Sequence, residues 1–275
     1  MALSNNPLKQ YFRRPSIYLK LPSGGNYPPG VINMPETGEL PVYPMTAIDE
    51  ITTRTPDALY NGTALIDLMK SCIPDIVDPW RINSSDLDAI LVAIKSASQG
   101  NELEIETECP KCEEVSKYGV NLVGILSTLK SSDYSKELRI GDLSIKFRPL
   151  IYREMNEASL SQFEVQKMFA NLETVQDDDE RNKISQNAIK TITEVTMKIL
   201  ARTMEYVKTP NGSVTEYEFI IDFLQNCDKN TYVAIRDYHT ELKTSSELKP
   251  LNIKCVACGN DYKQPFVVNA SNFFD

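Results

Sequence analysis

The sequence predicts an α+β protein: a mainly helical body, short strands near the N-terminus, and a four-cysteine ribbon whose halves flank a helical insertion. Three observations carry this. Residues 101–108, NELEIETE, alternate acidic and apolar side chains as a half-wet strand does and run into Cys109-Pro110-Lys111-Cys112. A second pair, Cys255-Val256-Ala257-Cys258, again lies between strand-like segments, PLNIKC before it and YKQPFVV after it. Between the two pairs the apolar residues recur with helical spacing.

The first 45 residues hold Pro7, Pro15, Pro22, Pro28, Pro29, Pro35, Pro41 and Pro44, which excludes a long helix there. Ile17–Leu21 and Glu39–Val42 read as short strands separated by the turn-formers of PSGGNYPPG and PETG. The interleaved Tyr11, Phe12, Tyr18, Tyr27 and Tyr43 favour an arm that packs over a solvated linker. A helical region follows. Thr55-Pro56 places proline in a first turn with Asp57 nearby, Ala58, Leu59, Leu65, Ile66, Leu68 and Met69 supply apolar contacts, and Asn61-Gly62 splits the segment. Pro74 and Pro79 leave Cys72–Pro79 as an irregular connector before Trp80.

The clearest helix starts at a Ser84 or Ser85 cap, carries Leu87, Ile90, Leu91 and Ile94 on one stripe, and closes at Gly100. Asp86 and Asp88 are expected on its exposed side. After Cys112, VSKYGV returns as a strand, NLVGILSTLK is a short amphipathic helix, and ELRIGDLSIKFRPL is a hairpin turning at Gly141-Asp142. Helices are expected at about 152–174, 180–206, 215–226 and 228–242, with a turn and a small strand pair around Pro210-Asn211-Gly212. The acidic run Gln176–Glu180 reads as a solvated loop and helix start rather than a docking patch. Ile184, Ala188, Ile192, Val195 and Ile199 form an apolar stripe expected to face a core.

These elements define five regions: an extended arm over 1–45, a helical region over 46–100, a ribbon split between 101–120 and 248–268, a hairpin and helical insertion over 121–247, and a tail over 269–275. Composition narrows the function. The 275 residues are 41% hydrophobic and 24% charged, as in an ordinary globular chain rather than a disordered one. Thirty-eight acidic against 29 basic residues give a net charge of −9, which argues against nucleic acid or anionic lipid as partner. No apolar run reaches the 18 or so residues of a membrane span, and the first residues lack an apolar signal core, so the chain is expected to be cytosolic.

In a reducing compartment paired C-x-x-C motifs point to metal before disulfide. Two residues between cysteines let both sulfurs of a knuckle face one ion, and a second knuckle completes a tetrahedral thiolate site for zinc. Cys109, Cys112, Cys255 and Cys258 are therefore the expected ligands of one structural Zn2+ per chain. The 142 residues between Cys112 and Cys255 far exceed a compact ribbon, so the metal would tie distant parts of the chain. Metal-free thiol pairs and a redox pair are the alternatives; four thiolates leave no open position for a catalytic zinc. Cys72 and Cys227 read as buried small apolar residues.

Enzyme signatures are lacking: G-x-x-x-x-G-K-S/T, G-x-G-x-x-G, G-x-S-x-G and H-E-x-x-H do not occur, and His239 is the single histidine. No catalytic residue is expected. The passages LPSGGNYPP, YPMTAIDEI, TPDALYNGTALIDLMKSCIPDIVDPWRINSSDLDAILVAIKSASQG and the C-P-K-C knuckle resemble the baseplate hub subunit family of T-even-type contractile-tailed bacteriophages, most strongly over residues 17–112. The resemblance implies a non-catalytic protein of hub or tail assembly, made in the host cytoplasm, that stays in the virion tail baseplate or acts only as an assembly factor. Its partners would be hub or tail proteins. The aromatic Phe273 and Phe274 suggest that a terminus docks on a partner or on the core. The alternative is a zinc-ribbon regulator that binds nucleic acid or polymerase.

Overall fold

The computed structural model describes residues 6–54, 62–172 and 177–268, which divide into two compact units. The first comprises residues up to 79, 86–129 and those from 248 on; the second comprises 80–85 and 130–247. The mixture of helix and strand, with a mainly helical segment inserted between the two cysteine pairs, is the expected α+β arrangement.

In the first unit, strands β1 (Ile17–Leu19) and β2 (Leu40–Val42) pair antiparallel, Ile17 opposite Val42. The chain between them packs: Leu21, Val31 and Leu40 are buried, and Ile32 bridges to Ile76. Helix α1 (Ala47–Thr53) starts at a capping box in which Thr46 accepts from the Asp49 amide while the Asp49 carboxylate accepts from the Thr46 amide. Arg13 ties the arm to this start. Its guanidinium donates to Pro44 O, Ser71 O, Ser71 Oγ and Asp49 Oδ2. The expected helix start at Thr55-Pro56, with Ala58, Leu59 and Asn61, lies outside the described residues; α2 (Thr63–Cys72) begins after Gly62, whose φ of 79° suits glycine.

Helix α3 (Ser84–Gln99) ends at Gly100 as expected, but its surroundings differ. It is buried on nearly every side, and Asp86, expected on a wet face, has no exposed surface. Its carboxylate instead accepts from the Ser23 amide (2.8 Å), the Ser23 hydroxyl (2.5 Å) and the Tyr27 hydroxyl (2.6 Å). An acidic residue in a first turn looks like solvated helix-start charge. Here the polar PSGGNY loop supplies the donors that make its burial tolerable.

Strands β3 (Glu102–Glu108) and β4 (Val115–Asn121) form a hairpin, Glu102 opposite Asn121, followed by α4 (Leu122–Thr128). Asn121 caps α4 by accepting from Gly124 N, and Leu122 N donates to Asn101 O. Leu122 and Ile125 are buried, and α4 falls within the first unit. Strands β9 (Leu251–Lys254) and β10 (Asp261–Gln264) form the other hairpin.

The second unit holds a four-stranded antiparallel sheet: β5 (Glu137–Ile140), β6 (Leu143–Phe147), β7 (Met204–Thr209) and β8 (Gly212–Val214) in spatial order. Helices α5 (Tyr152–Leu172), α6 (Asp178–Thr203), α7 (Tyr217–Asn226) and α8 (Lys229–Ser246) complete it. The expected helix to 206 stops at Thr203, because Met204–Phe147 and Tyr206–Lys146 pairing draws the chain into the sheet. Ile145, Phe147, Leu200, Met204, Ile220 and Ile235 form its core. The apolar stripe of α6 is only partly covered: Ala188 is buried, Ile184, Val195 and Ile199 are half-buried, and Ile192 is exposed. Within the acidic run, Asp177 caps α6, accepting from the Asp179 and Glu180 amides, while Gln176 lies outside the described residues.

Candidate metal centre

The two cysteine knuckles have the same local build. In the first, Cys109 N donates to Glu114 O and Glu113 N donates to Cys109 O; in the second, Cys255 N donates to Asn260 O and Gly259 N to Cys255 O. Each turn needs a left-handed residue four positions after its first cysteine. Gly259 supplies it at φ 72°, and Glu113 supplies it at φ 58°, the one positive φ of a non-glycine residue among those described.

The inner faces of the hairpins meet. Thr107 on β3 donates to Gln264 Oε1 on β10 at 2.7 Å, and Ile253 and Val120 are buried between strands. This brings the sulfurs together: Cys109 Sγ lies 3.8 Å from Cys258 Sγ, and Cys112 Sγ lies 3.7 Å from Cys255 Sγ. All four sulfurs fall within 4.8 Å of one another. A disulfide needs about 2 Å between sulfurs, so these are free thiols. A tetrahedron of sulfurs about 2.3 Å from a central ion has edges of about 3.8 Å. The donor set therefore fits a tetrahedral metal ion, and the four cysteines could hold one.

Protonation fits the same reading. The Lys111 amide, against some desolvation and with help from the Cys112 amide, draws the Cys109 thiol down to about 6. The Glu114 amide pulls Cys112 down too, but the neighbouring Cys258, Cys255 and Cys109 and desolvation outweigh it and push the thiol up to about 12. One thiolate forms readily; a second beside it needs a cation. Cys109 and Cys255 are buried, while Cys112 and Cys258 are exposed at the tip.

The other two cysteines are apart from this cluster. Cys72 is buried, and desolvation, with the Asp49 charge, raises its thiol to about 12. Cys227 is half-buried at the end of α7 rather than fully buried, and burial raises it as well. His239 lies beside Phe147, its pKa lowered by burial. Sequence reasoning missed the role of Glu113. The turn demands a left-handed residue there, and the matching Gly259 was the available signal.

The wet face of the first hairpin is acidic. Glu102, Glu104, Glu106 and Glu108 are all exposed on one side of β3, relieved by Lys117, whose ammonium lies 2.7 Å from Glu104. No helix among the described residues is long and apolar enough to cross a membrane.

The chain belongs to the T4 bacteriophage base plate protein family, whose model matches residues 17–275. It is thus a phage baseplate protein, and the match takes in the C-terminal half, where the sequence resemblance offered no motif. No curated protein and no solved structure matches the chain.

Proposed function

We propose that this baseplate protein serves the tail hub, as a hub component or as a factor that assembles it, and that Cys109, Cys112, Cys255 and Cys258 hold one structural Zn2+. The observation that supports the metal is the sulfur cluster formed by two knuckles 143 positions apart. Bound there, zinc supplies a closed four-thiolate tie with no open coordination position. The chain's own part is to present the sulfurs: the knuckle amides lower the first thiol, and the paired hairpins fix the spacing. The hub assignment is supported by the resemblance of LPSGGNYPP and the segment around α2 and α3 to hub subunits. The exposed glutamates of β3 favour protein over nucleic acid as the partner. We read the protein as non-catalytic, acting through contacts with hub or tail proteins in the host cytoplasm during assembly.

The test is copurification of the tagged full chain from infected cells, with analysis of finished particles. A hub or tail protein recovered with the chain supports the reading. Its presence in particles makes it a component; particles that lack it yet fail to form without it make it an assembly factor. Recovery of nucleic acid in a salt-dependent complex, with no tail protein, would overturn the reading in favour of the regulator.

A further inference from the structure

We propose that the groove between β4 and β9 receives an extended segment of a partner protein bearing apolar and acidic side chains. The groove has a volume of about 460 Å³ and is walled by Tyr118–Asn121 of β4 and Leu251–Lys254 of β9, with Ile125 of α4 and Phe266 also lining it. Side chains on a strand alternate between faces, so four successive residues cannot all line a groove through one face. They line it along the strand edge. Both edges are unpaired: among the described residues β4 pairs with β3 and β9 with β10, and no strand lies between β4 and β9.

Such edges offer backbone N–H and C=O groups to another strand, and a peptide that accepts them gains affinity from its main chain and selectivity from alternate side chains. Val120 and Ile253 are 8% and 6% exposed, so their side chains are already packed within the ribbon and the backbone edge is what remains to be covered. Charge selects the occupant. The charged residues of the lining are Lys249 and Lys254, with no carboxylate, on a chain whose net charge is −9. A basic rim on an acidic protein favours a segment carrying Asp or Glu. The inference rests on the reading of the chain as a binder of tail proteins and locates one surface for that binding.

The test uses the intact chain panned against a random library of extended peptides, with hydrogen exchange on the enriched binders. Enriched sequences are expected to place aliphatic residues at alternate positions with at least one carboxylate, and to protect amides in both 118–121 and 251–254. Lys249→Glu should weaken binding by roughly threefold and the double variant with Lys254→Glu by roughly tenfold, as two rim charges allow. Methylating alternate peptide amides should abolish binding. No enrichment, protection elsewhere, or affinity unchanged in both lysine variants would overturn the groove. Binding seen only after removal of residues 269–275 would assign the groove to the chain's own end and overturn it too. A tail protein that copurifies while leaving both segments unprotected defeats the groove alone; absence of any tail partner defeats the broader reading.

Discussion

Cys109 and Cys258 lie 149 positions apart in the chain, yet their sulfurs are 3.8 Å from each other. A tie between such positions removes much of the freedom of the unfolded chain. For a closed loop of this size the chain-entropy model gives about 4–5 kcal/mol, an upper figure for a metal tie. Cys109→Ser should therefore destabilise the first unit by about 3–5 kcal/mol in urea unfolding. A strong chelator should lower wild type to the same level and leave the variant unmoved. Because thiolates must be formed to bind metal, the chelator-sensitive part should shrink as pH falls and protons compete for the four sulfurs. Equal stability of variant and wild type contradicts the tie.

Glu113 and Gly259 occupy matching places in the two knuckles, with φ of 58° and 72°. A side chain in that region carries strain that glycine lacks. Glu113→Gly should raise stability by about 0.5–1 kcal/mol, and Gly259→Ala should lower it by about 1 kcal/mol, although nothing lies within 4 Å of the added Cβ. Thermal unfolding of both variants checks the pair; a loss on Glu113→Gly contradicts the strain.

Desolvation holds the buried Asp86 carboxyl above its ordinary value of 3.8, and the bonds from Ser23 and Tyr27 offset this only in part. A raised folded pKa favours the protonated folded state, so its contribution is full below 3.8 and is lost as pH rises through the folded value. Asp86→Asn stays neutral throughout. Its cost relative to wild type, about 1 kcal/mol, should be largest in acid and shrink towards neutral pH, where wild type carries the buried charge that the amide lacks. Urea unfolding of both proteins from about pH 4 to 7 measures the difference, and a cost that grows with pH contradicts the assignment.

Phe147 is 1% exposed at the centre of the second unit. Phe147→Ala should cost about 3–5 kcal/mol there. Trp80, stacked on Tyr152 with ring centroids 5.3 Å apart, reports that unit's unfolding by fluorescence. The variant should keep its four-cysteine site, and a loss under about 1 kcal/mol would contradict the packing.

Local chemistry was legible and long-range chemistry was not. The NELEIETE alternation, the Gly141-Asp142 turn and the Gly100 stop each write their element in neighbouring residues, and the structure has all three. The Thr46-x-x-Asp49 capping box that starts α1 is local in the same way. What decides Asp86 lies 63 positions away at Ser23, and what ends α6 is pairing of Met204 with Phe147. Neither partner is visible from the helix's own residues. The cysteine cluster is the exception among long-range features: thiols at knuckle spacing announce a common target without fixing the path between them.

That common target is tested by metal analysis and sulfur-edge distances on freshly purified, reduced protein. The expected result is about one zinc per chain with four sulfurs at about 2.3 Å, lost together in the Cys109→Ser, Cys255→Ser double variant. Protein that is folded and free of metal, or zinc that persists in the double variant, would contradict it.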